Sequence, residues 1–156
     1  MVEFASCSSS DSDAMLLDRL HAEYSKATIT PMGVTGDGRF ERWVDAIKRH
    51  LAGTQPHLEL PLDIRATAFQ MLVWKYLQSI PYGDLQSYGE IAAAIGHPTA
   101  ARTVANACAL NPTAIVIPCH RVIRGTGGLG GYRWGIERKR ALIDNERSER
   151  IARPAH

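Results

Sequence analysis

The sequence predicts a mostly helical α+β protein, centred on a winged helix-turn-helix-like unit with a short β-hairpin beside it. Three observations carry that expectation. Apolar residues recur at helical spacing through residues 38–52 and 69–80. Two short helical segments flank Gly96, the arrangement of a helix-turn-helix. Strand signals are confined to brief apolar runs on either side of Cys119, ahead of the Gly-rich stretch GTGGLGGY.

In chain order, residues 1–13 are rich in Ser and Asp and read as a flexible end, with a helix expected over 14–24. Phe40, Trp43, Val44, Ile47 and Leu51 mark one face of a helix over 38–52, which Gly53 ends. Residues 58–64, with prolines nearby, read as extended linker. Thr67 with Gln70 forms a capping box, and Phe69, Leu72, Val73, Tyr76, Leu77 and Ile80 make the apolar face of a central core helix. Ser87 with Glu90 repeats the capping box and opens a short helix that Gly96 breaks. Pro98 suits the first turn of the next helix, which Asn111-Pro112 closes. A last helix is expected over 135–146, with Ile136, Ile143 and Glu146 on its inward face.

Composition excludes several functional classes. The hydrophobic content of 45% supports a folded core, and no apolar run is long enough to span a bilayer. The opening MVEFASCSSSDSDA lacks the basic start and apolar stretch of a secretory signal, so a cytoplasmic protein without a membrane partner is expected. Three cysteines, Cys7, Cys108 and Cys119, without CxxC spacing suggest neither a disulfide framework nor a zinc site. The net charge is only +2, but between residues 81 and 140 Arg102, Arg121, Arg124, Arg133, Arg138, Lys139 and Arg140 face only Asp84, Glu90 and Glu137. Such a segment suits a docking face for phosphates, and equally an ordinary solvated surface.

IPCHRV, residues 117–122, is the most informative stretch. Pro118 fixes its own backbone and pushes Ile117 toward an extended conformation, so Cys119 is presented from a stiffened approach. Cysteine attacks as the thiolate, which requires a basic or cationic neighbour, and His120 and Arg121 are the candidates. Adjacent side chains diverge, so His120 is expected to take the proton through a bridging water. Glu146 is the best-placed carboxylate to orient it. Its place at a helix C-terminus, which the helix dipole disfavours, hints at a role beyond solubility.

With the upstream PYGDLQSYGEIAAAIGHPTAARTVANACALNP, the stretch NPTAIVIPCHRVIRGTGGLGGYRWG resembles the O6-alkylguanine-DNA alkyltransferases. The resemblance is nearly collinear from Leu60 to Glu146, and LPLDIRATAFQ and GYRWG look most like the C-terminal domain of Ada-type bacterial proteins. It implies a single-turnover methylated-DNA–protein-cysteine S-methyltransferase that repairs duplex DNA. An alkyl group would pass from O6 of guanine, or O4 of thymine, to Cys119. The protein would act as a monomer without cofactor or metal. Residues 61–150 would form the DNA-binding and acceptor domain, and residues 1–60 a flexible start with the helical remnant of an incomplete N-terminal domain.

The same resemblance assigns residues to roles. His120 and Glu146 form the water-mediated relay, and Asn111 braces the turn between recognition helix and active-site segment. Tyr88 donates to the departing guanine, whose growing negative charge it stabilises. The lesion lies within the base stack, so the nucleotide must be flipped out, with Arg102 as the finger that fills the vacated space. Ala101, Ala105 and Ala109 keep that helix narrow for a minor groove, and Arg121 joins the DNA-contacting set. Residues 127–132, with Gly131 and Tyr132, line the alkyl pocket. Trp134 narrows it toward small alkyl groups, and core packing is the competing role for this ring.

Two enzyme alternatives fall away. Gly125, Gly127 and Gly130 satisfy GxGxxG, but no βαβ unit can follow in the remaining chain. A cysteine hydrolase needs water to release its intermediate, which an alkyl thioether resists. The remaining alternative is a helix-turn-helix regulator or non-enzymatic damage-recognition protein; relatives of the latter kind lack the acceptor cysteine, which this chain has.

Overall fold

The computed structural model describes residues 38–152 and, before them, positions 14, 15, 17, 18, 20–22, 25, 26, 28 and 29. The flexible end expected over 1–13 lies outside the described residues. Within the helix expected over 14–24, positions 14, 15, 17, 18 and 20–22 are helical, and Tyr24 lies outside. The chain divides into two units, Met1–Arg42 and Trp43–His156, and every residue of the site belongs to the second. No helix among the described residues is long and apolar enough to cross a membrane.

Helix α1 (Arg39–Leu51) ends where Gly53 turns left-handed at φ +71°. Helix α2 (Ala68–Ser79) opens on the expected capping box: Thr67 Oγ1 accepts from Gln70 N at 3.2 Å, and Gln70 Oε1 accepts from Thr67 N at 2.8 Å. Its buried face is Val73, Trp74 and Leu77, while Leu72, expected inside, is 41% exposed. Trp74 takes that place because its indole N–H finds a buried partner, the Ala107 carbonyl at 2.9 Å.

Helices α3 (Tyr88–Ala94) and α4 (Ala101–Ala109) form the expected pair, α3 opening on the Ser87–Glu90 capping box. The turn between them is a Schellman closure: His97 N donates to Ala92 O, Gly96 N donates to Ala93 O, and Gly96 sits at φ +81°. Pro98 lies in this turn rather than in the first turn of α4. The Ala100 N–H bonds back to the His97 carbonyl, so α4 begins only at Ala101. Helix α4 packs against both α2 and α3. Ile91, Ala92, Val104, Ala107, Cys108, Ile117 and Val122 complete the core, each larger side chain contributing roughly 1.5–3 kcal/mol on burial.

The sheet corrects one expectation. Strands β1 (Gln86–Ser87) and β2 (Val122–Ile123) pair in parallel, in the register Gln86↔Val122 and Ser87↔Ile123, and no hairpin forms among the described residues. After β2 the chain closes a tight turn, Arg124 N donating to Gly128 O and Gly127 N to Arg124 O. Left-handed Gly127 and Gly130 then lead the chain onward, so it does not return beside β2. Helix α5 (Ile136–Ala152) also runs a turn and a half past its expected end.

Candidate active site

Between α4 and β2 the chain makes a braced turn that delivers Cys119. Asn111, fully buried, accepts from Thr113 N at 3.0 Å and donates through Nδ2 to Ile117 O at 2.8 Å and to Cys119 Sγ at 3.1 Å. Ile115 sits at φ +75°, a costly conformation for a β-branched residue, held by the bonds around it. Pro118 then forms an inverse γ-turn at φ −79°, ψ 60°, closed by Cys119 N donating to Ile117 O at 2.8 Å. Residues Cys119–Arg121 follow as one 3₁₀ turn, all three buried.

Behind the cysteine, His120 and Arg121 both turn to Glu146. His120 Nε2 lies 2.7 Å from Glu146 Oε1. Arg121 forks onto the same carboxylate through Nε and Nη2 at 2.9 Å, and the Gly83 amide adds a bond to Oε2 at 2.9 Å. These donors outweigh the burial that opposes them and hold the Glu146 carboxyl at about 2. An ionised carboxylate only accepts, so His120 carries its proton on Nε2. Nδ1, buried and without a hydrogen-bond partner among the described residues, is left as the base. Burial also holds His120 below 6.5, against the pull of Glu146, so the imidazole is neutral near pH 7. Burial pushes the Cys119 thiol up, while the Asn111 hydrogen bond and the Lys139 charge pull it down. The resting pair is therefore thiol and neutral imidazole.

The other expected residues fall into three groups. Tyr88 opens α3, half-buried, with its hydroxyl against Gly130; a Cβ there would come within 2.8 Å of that oxygen. Tyr132 packs on the core cluster, and its ring lies 5.6 Å from that of Trp134, over which Arg133 sits. Gly131 is exposed beside them. Ala101, Arg102 and Ala105 lie in the first turns of α4, with Arg102 exposed and the two alanines half-buried.

Two expectations need correction. Arg121 cannot be a DNA contact: it is 5% exposed, bound to Glu146 and to the Ile80 carbonyl at 2.7 Å, and stacked over Tyr82. Glu146 is not at a helix C-terminus, because α5 continues to Ala152 and the helix dipole does not act against it there, although it does point inward. Its inward neighbours are Ile143 and Lys139, while Ile136 is 37% exposed.

Lys139 went unrecognised in the sequence because it stands in the basic run RKR. It is fully buried, and its ammonium donates to the Val122 and Leu129 carbonyls, tying β2 to the Gly-rich segment. The one available signal was its spacing, four residues before Ile143 and seven before Glu146 on one helical face. Among the described residues no group of three or more His, Cys, Asp or Glu side chains could hold a metal ion.

A buried thiol one residue ahead of an imidazole–carboxylate pair, on a turn that follows a helix-turn-helix-like pair, defines a cysteine-centred protein. Residues 68–148 match the family described as 6-O-methylguanine DNA methyltransferase, DNA binding domain, and the chain belongs to that family. It is 47% identical over 136 residues to the bifunctional transcriptional activator/DNA repair enzyme Ada of Escherichia coli K12, covering 87% of this chain but 37% of that protein. It is 51% identical over 111 residues to the methylated-DNA–protein-cysteine methyltransferase of Mycobacterium bovis, covering 71% of this chain and 67% of that one. Among solved structures, the O6-methylguanine methyltransferase of Mycobacterium tuberculosis superposes with a TM-score of 0.73 at 45% identity, covering 86% of this chain and 76% of that one. A Mycobacterium tuberculosis OGT in complex with DNA gives 0.68 at 51% identity, covering 70% and 68%. These structures share the mostly helical architecture with its small sheet.

Proposed function

We propose that this protein repairs duplex DNA by moving an alkyl group, methyl above all, from O6 of guanine to Cys119 in a single turnover. The carrying observation is the assembly around the acceptor. Glu146 fixes the His120 tautomer, His120 Nδ1 is free to accept, and Asn111 holds Sγ in place. As base, His120 takes the thiol proton through one bridging water. The S–C bond forms as the C–O6 bond breaks, and the electron pair leaves on the guanine, where the Tyr88 hydroxyl donates. The thioether product resists water, so each molecule acts once.

Helices α3 and α4 act as the helix-turn-helix, with Arg102 entering the duplex as the base leaves it and Ala101 and Ala105 allowing close approach. The exposed position of Arg102 and a relative solved with DNA support this reading. Residues 61–150 form the acceptor domain, Gly131 and Tyr132 line its alkyl pocket, and the protein acts as a monomer. Single-turnover assay on duplex DNA carrying O6-methylguanine tests the proposal: the wild type should clear the lesion, and Cys119→Ser should bind the duplex without clearing it. A serine variant that still clears the lesion would rule out Cys119 as acceptor. Binding by the wild type without clearance would favour a damage-recognition protein.

A further inference from the structure

A groove of about 430 Å³ opens on the far side of the Cys119 turn, walled by Pro118, Arg121, residues 56–60 and the side chains of His50, Tyr82 and Ile115. Next to it, against His120, Asn145 and Glu146, lies a separate cavity of about 10 Å³, room for about one water. His50, Tyr82 and Ile115 line both spaces, so these three side chains form the partition between the relay and the open groove. His50, on α1, is 3% exposed. Its Nδ1–H donates to the Gln55 carbonyl at 2.8 Å, and its ring stands edge-on to Tyr82 with centroids 5.3 Å apart. The Tyr82 ring in turn carries the Arg121 guanidinium at 5.5 Å.

We propose that His50 is a positioning residue for alkyl transfer: its ring closes the partition that shields the His120–Glu146 pair from the bulk water of the groove. The inference rests on the reading of that pair as the proton relay. Water admitted through the partition would solvate His120, relieve the desolvation that keeps it neutral, and weaken its bond to Glu146. The charged or titratable groups facing His50 are Arg121, Glu146, His120 and Tyr82, and His57 and Glu59 share its groove. In this role the imidazole acts by its bulk, not by its proton.

The test is the pH profile of single-turnover methyl transfer for the wild type, His50→Ala and His50→Phe, each checked for folding by thermal unfolding. The wild-type rate should fall only below the ordinary histidine value of 6.5. His50→Ala should move that acid limb up by about one pH unit, a loss of about tenfold on the limb. His50→Phe, which restores the bulk without a titrating group, should return the limb to its wild-type position. An unmoved limb in His50→Ala, or an equal displacement in His50→Phe, would overturn the inference. If His50→Ala does not fold, His50→Asn opens the same gap and is read the same way. A wild type that transfers no methyl would instead defeat the relay reading itself.

Discussion

Glu146 accepts hydrogen bonds from His120, Arg121 and the Gly83 amide, and these hold its carboxyl at about 2. Because the folded value lies below the ordinary 4.5, the pairing contributes about 3 kcal/mol that is present above about pH 4.5 and is lost as the pH falls toward 2. His50 and His120 are held below 6.5 chiefly by burial. The unfolded chain takes up their protons first, so stability also declines as the pH falls through 6.5. Thermal unfolding across pH should therefore show a gentle loss below about 6.5 and a steeper one below about 4.5. Glu146→Gln should abolish the steeper stage and cost about 3–5 kcal/mol at neutral pH, since Arg121 then loses its buried partner. A melting temperature flat from pH 7 to pH 4 would contradict this account. At this scale the sequence displayed Cys119, His120 and Glu146 plainly, because residue type and order carry their chemistry. The places of Arg121 and Lys139 depend on what lies across the fold, so the basic segment that reads as a docking face gives no sign that these two members of it are buried.

The elements most legible in the sequence are those with local causes. Both capping boxes, the glycine stop after α3 and the stiff approach through Pro118 are written in contiguous residues, and each formed. The β1–β2 pairing joins segments of two residues each, 36 positions apart, through no local pattern, and the Gly-rich stretch that follows imitates a hairpin signal. Ser87→Ala removes the cap of α3 and should cost about 1 kcal/mol in urea unfolding; an unchanged midpoint would contradict the capping role. Gly130→Ala acts on the Gly-rich segment instead. Its φ of +70° and the Tyr88 hydroxyl, 2.8 Å from where a Cβ would stand, leave no room for a methyl, so Tyr88 must move. Transfer should fall by about 10²-fold, the scale of one lost transition-state donor, while duplex binding measured by fluorescence anisotropy is kept. Undiminished transfer would remove Tyr88 from the reaction.

Across the whole molecule, the proposed function puts docking and chemistry on different parts of one unit. Helix α4 presents Arg102 outward, while the His120–Glu146 pair is enclosed behind the Cys119 turn. Arg102→Ala should therefore slow repair of duplex DNA more than repair of the free alkylated base, since only the duplex needs its vacated space filled. Equal slowing on both substrates would contradict the finger role. The central claim, that Cys119 takes the alkyl group, is tested most directly by mass spectrometry of the protein after incubation with duplex DNA containing O6-methylguanine. Cleavage after Arg102 and Arg121 yields one peptide, residues 103–121, that carries both Cys108 and Cys119, so fragment ions must separate the two thiols. Burial pushes the Cys108 thiol up to about 12, which leaves it unreactive. The expected result is one added methyl, on Cys119 alone; a methyl on Cys108, or bound DNA with no added mass, would contradict the account.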